Sequence, residues 1–481
     1  MRWREPLSPV AMTRVAVVAR TAALRDALVC VADAGTVEID RAVSSADLPV
    51  GDANRALRHS QPAGPPTAAL AASPPDVAEL ERDGRTDLLA GEVQLAEISA
   101  QAVVHGDVAA VVGWTPAAQL PRLSAALAEV GAAAAPLRRP HGVDPPSLGA
   151  PRAARRAFAP LVETYGTIPY ADVDPTILAG VAYAVMFGAM FGDVGHGLLL
   201  VALGLLIRAG RLRRLARLRP HWLVVAAVGV SATLFGFAYG EAFGPTGLVP
   251  SGLIEPIEQP VELLVIGVSL GAVLMAGAYG LAIVNRVREG GWPLALYTPA
   301  GLAGALVFVG VGVAVGAVYW RSGWAGVGAA ILATTGIALA FVGLFVNAGG
   351  RATGAAQAGI ETVDLVIRLG TNIVSFARLA AFGLTHAVLS LIVWQATTGL
   401  WHKGPVGAVG AVLVFAIGNA LAFGLEALVA GIQALRLEYY ELFSRVFQLE
   451  GRPFQHWHVR IEQYSPAHRP IDPPAVEPGP A

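Results

Sequence analysis

The sequence predicts an α-helical polytopic membrane domain of eight transmembrane helices, the last two long and tilted, joined to a small N-terminal α/β cytoplasmic domain. Three observations carry that prediction. Of the 481 residues 54% are hydrophobic and 14% charged, and the mean hydropathy is +0.56, too apolar for an ordinary soluble protein. From about residue 176 the chain is a succession of apolar runs near membrane-crossing length. Ahead of them, residues 13–41 and 97–138 carry strand and helix periods in alternation.

The N-terminal part reads as strand (RVAVVAR), helix (TAALRDALVCVADAG) and strand (TVEID), then, after a linker with a short helix over 44–87, as VHGDVAAVVGWTP and AAQLPRLSAALAEVG. Met12 opens the first strand, and the residues before it read as an extension. Arg2, Arg4, Pro6 and Pro9 interrupt any apolar core there, so no cleaved signal peptide is expected and this part is assigned to the cytoplasm. The expected boundaries are a domain over 1–150, a connection over 151–175, a membrane domain over 176–450 and a cytoplasmic C-terminal tail over 451–481. His456 and His458 in that tail are read as solvated.

The eight expected spans are about 176–191, 194–208, 221–243, 261–285, 295–319, 323–348, 357–399 and 405–447. The loops after spans 2, 4 and 6 hold Arg208, Arg211, Arg213, Arg214, Arg217, Arg219, Arg286, Arg288 and Arg351; the alternate loops hold Arg321 and Lys403. That bias puts the first set of loops and both termini in the cytoplasm. No proline falls between Pro299 and Pro405, or from there to Pro453, so each of the last two segments can run as nearly unbroken helix.

Composition removes several functions. The formal net charge of −1 shows no basic footprint for nucleic acid. Cys30 is the single cysteine, which excludes an intrachain disulfide and a cysteine-based zinc cluster. Lys403 is the only lysine and no glycine-rich loop precedes it, so the chain has no P-loop for ATP. Gly310 and Gly312 read as helix-packing residues. No cofactor is implied.

What stands out is charge at membrane depth. Asp364, Arg368, Thr371, Ser375, Arg378 and Thr385 share one face of the seventh span; Asn419, Glu426, Gln433, Arg436 and Tyr440 share one of the eighth. Such stripes are costly in lipid and mark ion paths or charged partners. Arg378 stays protonated, so it repels cations and favours an ionised carboxylate beside it. It serves either a partner's carboxylate or an internal ion pair with Glu426 or Asp364. His386, which titrates near neutral pH, is either a proton carrier or a packed histidine. Asp193 and His196 in GDVGHG sit at the turn of the first hairpin, for packing in preference to metal binding.

Four stretches together are specific: YGTIPYADVDPT leading into MFGAMFGDVGHG, FGFAYGEAFG, SFARLAAFGLTHAVLS, and EALVAGIQALRLEYYELFSRVFQLEGRPFQHW. Over about residues 150–457 the chain resembles the membrane stator subunit, a or I, of rotary V-type and archaeal-type ATPases. The resemblance implies two long helices clasping a rotor ring of small proteolipids (subunit c or K), with two offset aqueous half-channels for protons, in the plasma membrane. It implies Arg378 and Arg436 as the essential arginines and Glu426 as the helix-8 glutamate. Gln433, His386 and Asp364 are implied along the path, with peripheral and central stalk subunits as further partners; Ser375 and Asn419, from the polar stripes, are further candidates for the path. ATP chemistry would belong to other subunits. A self-contained secondary transporter and a non-conducting scaffold are the rival readings. The family's long coiled coil has no room in the roughly 60 residues between the TRVAVVAR and VVGWTP strands, a departure from its usual stalk attachment.

Overall fold

The computed structural model describes residues 9–40, 51–60, 66–140, 142–149, 153–211, 213–250, 252–446 and 451–464. The N-terminal extension to residue 8, parts of the expected linker (41–50 and 61–65) and the tail from 465 lie outside them. The chain forms two compact units, one of residues 10–148 with those from 452 onward, the other of residues 149–451.

In the first unit the order is β1 (Met12–Arg20), α1 (Leu24–Ala34), β2 (Glu38–Ile39), α2 (Asp52–His59), β3 (Ala69–Ala71), α3 (Val77–Arg82), α4 (Thr86–Ala100), β4 (Val103–His105), β5 (Val108–Pro116), α5 (Leu120–Glu129) and β6 (Ala133–Leu137). β1 is the centre of an antiparallel sheet ordered β2-β5-β1-β6, with β4 folded back on β5. Apolar residues of β1, α1 and α5 (Val17, Ala27, Val31, Leu123, Leu127) form one core; Leu28 of α1, Leu95 of α4 and Val111 of β5 belong to another.

Two expectations are corrected here. The span 44–87 is not simply a linker with one helix, because α2, β3 and α3 lie in it and bury Ala56, Ala69, Ala71 and Leu80 against Leu88 and Leu89 of α4. Short alanine-rich elements lack the long apolar period that a sequence reading needs. Nor are residues 451–464 a solvated tail. A seventh strand, β7 (Arg460–Glu462), pairs in parallel with β3, Val459 is buried, and Trp457 packs on two core clusters. The Trp457 amide donates to Val37 O at 2.8 Å and its indole to Gln94 at 3.2 Å, while His458 bonds Ala32 O at 3.0 Å.

The second unit is helical: α6 (Ala153–Glu163), α7 (Thr176–Met190), α8 (Val194–Arg208), α9 (Trp222–Tyr239), α10 (Pro260–Tyr297), α11 (Leu302–Tyr319), α12 (Gly323–Asn347), α13 (Ala352–Ser375), α14 (Ala377–Trp401), α15 (Gly404–Leu437) and α16 (Ser444–Val446), with a π-helical turn over Glu438–Phe443. Six stretches are long and apolar enough to cross a membrane: 216–239, 260–297, 302–319, 323–347, 352–401 and 404–446. α7 and α8 are apolar but have 15 residues each, roughly 22 Å of helix against a ~30 Å hydrocarbon core, so eight crossings are not established.

The expected seventh span is two helices that meet at Phe376, whose backbone stays right-handed helical (φ −73°, ψ −12°). The fourth also differs: the helix that starts at Pro260 runs past residue 285 to Gly291, where φ of +76° breaks it two residues before Pro293. α7, α8 and α9 pack closely at the GDVGHG turn. A Cβ on Gly195 would stand 2.4 Å from the Phe243 ring and one on Gly197 2.4 Å from Thr233 Oγ1; only hydrogen fits there.

Candidate functional site

α14 and α15 meet across a polar seam that has two parts. At the first, Glu426 of α15 accepts a hydrogen bond from the Nδ1–H of His386 on α14, with the imidazole 2% and the carboxylate 14% exposed. The α7–α8 turn closes over this pair. Asp193 caps α8, accepting from the amide of His196 at 2.8 Å and from that of Gly244 at 3.0 Å. The His196 ring stands edge-on to His386 with 5.8 Å between centroids, and Phe191 and Phe423 pack on them. Ser390 of α14 and Glu241, just past α9, are buried as well.

The second part lies further along both helices. Arg378 is partly buried in α14, and its Nη1 is buried without a hydrogen bond. Arg436 is exposed near the end of α15. Neither arginine is at ion-pair distance from a carboxylate among the described residues. Asp364 is taken by Arg368 one helical turn on, at 2.6 Å, and Glu426 by His386. The internal ion pair that the sequence left open for Arg378 is therefore not made. Glu441 lies within electrostatic reach of both arginines and of the Ser375 hydroxyl.

Thr371, Ser375 and Thr385 return their hydroxyls to carbonyls of their own helices at 2.8–3.0 Å. Along this stripe Arg368, Thr371 and Thr385 are exposed, and Asp364, Ser375 and Arg378 are partly buried. Gln433 Oε1 is buried and unpaired, and the Asn419 amide donates to Phe415 O at 2.9 Å. Tyr440 is 70% exposed. α15 itself buries only Ala411, Ala430, Ala434 and Leu437, so most of its length presents Leu413, Ile417, Leu421, Leu425, Leu428 and Ile432 outward.

Sequence reasoning missed Glu241, Glu438, Glu441 and Arg445. The last three sit in or beside the π-helical turn, whose wider step breaks the 3.6-residue period that found the stripes. Glu438 is fully buried with both oxygens unpaired. Arg445 approaches the Tyr279 ring at 5.9 Å and donates to the Asn372 amide oxygen at 3.2 Å in that amide's satisfied orientation.

A separate buried cluster sits at the foot of α7. Arg155 pairs with Asp174, Arg286 with Glu289, and Asn285 accepts from the Val173 amide at 3.0 Å. Asp172 is fully buried there. Its pKa is raised to about 8 by desolvation and by the neighbouring Glu289 carboxyl, against the pull of Arg286 and Arg288.

Residues 99–244, which include the α7–α8 turn and Glu241, match the model of the V-type ATPase 116kDa subunit family. The A-type ATP synthase subunit I of Archaeoglobus fulgidus is 27% identical over 432 residues, covering 77% of this chain and 61% of that protein. Over these stretches the chain is similar to the V-type ATPase 116kDa subunit family and to A-type ATP synthase subunits I. The A-type ATP synthase subunit I of Pyrococcus horikoshii is 26% identical over 319 residues, 63% of this chain and 46% of that protein. The V-type ATP synthase subunit I 2 of Treponema pallidum is 41% identical over 113 residues, 24% of each chain. The chain thus spans about half to three-fifths of the length of these first two relatives.

Proposed function

We propose that the chain is the ion-conducting stator subunit of a rotary V/A-type ATPase in the plasma membrane, with both termini cytoplasmic. It works against a ring of small membrane proteins that each carry a buried carboxylate. One observation carries this reading: Arg378 of α14 keeps a buried, unpaired guanidinium nitrogen, while the carboxylates expected to neutralise it are bound elsewhere. A charge left in that state at membrane depth is expensive, and a carboxylate arriving from outside the chain would repay it.

On this reading a rotor carboxylate that reaches Arg378 and Arg436 gives up its proton, because a fixed positive charge favours the ionised form. His386 and Glu426 serve one half-channel, on the side of the α7–α8 turn. Gln433 and Asn419 line α15 along the way, and Ser375 with Asp364 stands toward the other half-channel. ATP is handled by other subunits, and peripheral and central stalks complete the machine.

The reading is tested in membrane vesicles holding the assembled complex. Arg378→Ala is expected to abolish ATP-driven proton uptake while the subunit remains in the complex with the proteolipid ring. Undiminished uptake would sink it, and a chain that purifies without any ring would favour a self-contained transporter.

A further inference from the structure

The groups closed in by the α7–α8 turn have a geometry that proton passage does not require. The potential ligand atoms of Asp193, His196 and His386 lie within 4.8 Å of one another, and the three residues are 0%, 1% and 2% exposed. Each histidine has a carboxylate at Nδ1: Glu426 on His386, and Asp193 Oδ1 at 3.4 Å from His196. On His386 the hydrogen bond to Glu426 fixes the tautomer with its proton on Nδ1 and leaves the Nε2 lone pair free, which is how metal-binding histidines are oriented, while His196 has neither ring nitrogen hydrogen-bonded among the described residues. Both Nε2 atoms are buried and make no hydrogen bond among the described residues. An unpaired polar atom in such a place costs free energy, and Phe191, Phe243 and Phe423 around the two rings offer it no donor or acceptor side chain.

Access is also present. Glu241, 5% exposed, lies within electrostatic reach of His386, Asp193 and Glu426. It also lines an open cavity of about 390 Å³ whose wall carries Glu255 and Glu258. An acidic mouth raises the local concentration of cations.

We propose that Asp193, His196 and His386 bind a divalent transition-metal cation of the zinc class. Glu426 orients His386 from behind, and Glu241 guards the approach. Two imidazoles and one carboxylate suit zinc, whereas calcium and magnesium take oxygen ligands. Asp193 already accepts two backbone amides, but each carboxylate oxygen has a second lone pair to give. Resting on the function proposed above, the consequence is that bound cation occupies the His386–Glu426 pair and stops the flow of protons through it.

The test uses cobalt(II) as the probe on the purified full chain, made without a polyhistidine tag. A tetrahedral site gives intense visible absorption. We expect one cobalt per chain, displaced by zinc, and loss of that band in His196→Gln and His386→Gln. In Glu426→Gln the affinity should fall about 10- to 100-fold, and in the doubly substituted His456→Ala, His458→Ala chain it should not change. No band in the wild type, or a band that survives in both glutamine variants, overturns the proposal.

X-ray absorption of the zinc-loaded wild type asks the same question without substitution. Two imidazole ligands support the site, and one or none overturns it. In vesicles, zinc should block ATP-driven uptake. A cobalt site that is present while uptake ignores zinc keeps the cation site and removes His386 and Glu426 from the ion path.

Discussion

Arg378 was legible as soon as an arginine stood in an apolar run, because no helix places one there without a use. Its surroundings were not legible. Which carboxylates stay away from it depends on Arg368 reaching Asp364 and His386 reaching Glu426, and the second of those is a contact across two helices. Phe376, two residues earlier, fixes the start of α14: its ring fills the space above Gly271 of α10, where a Cβ would meet it at 2.0 Å. Gly271→Val therefore pushes α14 away from α10 and should destabilise the purified chain by about 1–3 kcal/mol, read as a lower thermal transition in detergent. Gly271→Ala should cost less. An unchanged transition in the valine variant would show that this contact does not hold the helix in place.

Among the elements, long uniform helices were read well and short ones poorly. α11, α12 and α15 follow from apolar runs without proline, and β1 with α1 from clear periods. α2, β3 and α3 were taken for linker because alanine and proline carry little periodic signal. The π-helical turn after α15 hid Glu441, since the step from Arg436 fits no α-helical face. The strand β7 was invisible for a different reason: its partner β3 is nearly 400 residues away along the chain, and three residues of strand have no pattern of their own.

That distant segment nevertheless contributes to the α/β unit. Trp457→Ala, which removes the indole hydrogen bond to Gln94 and contacts with two clusters, should cost that unit about 3 kcal/mol. Limited proteolysis of residues 10–148 should then become faster, and an unaltered cleavage rate would restore the reading of a dispensable tail.

For the whole molecule, the cluster at the foot of α7 joins α6, the α6–α7 connection and α10, and it makes stability depend on pH. Folded Asp172 keeps its proton until about pH 8, while its ordinary pKa is 3.8. Between those values the folded chain holds a proton that the unfolded chain has released, so stability from this group is complete at the acid end and falls as pH rises. Asp172→Asn mimics the protonated form. The drop in thermal transition from pH 5 to pH 8 should be smaller in this variant than in the wild type; an equal drop would assign the dependence to other groups.

By itself the sequence determined the membrane class, the helices that carry charge and the family stretches, because apolar runs, charge spacing and motif strings are local properties. Only the tertiary structure decided which charges find partners. His386 with Glu426, the imidazole of His196 beside them, Asp172 against Glu289 and Trp457 in a core built by the first 140 residues are all contacts between segments far apart in the chain. Burial alone, which no local pattern encodes, makes their pairing or lack of it matter.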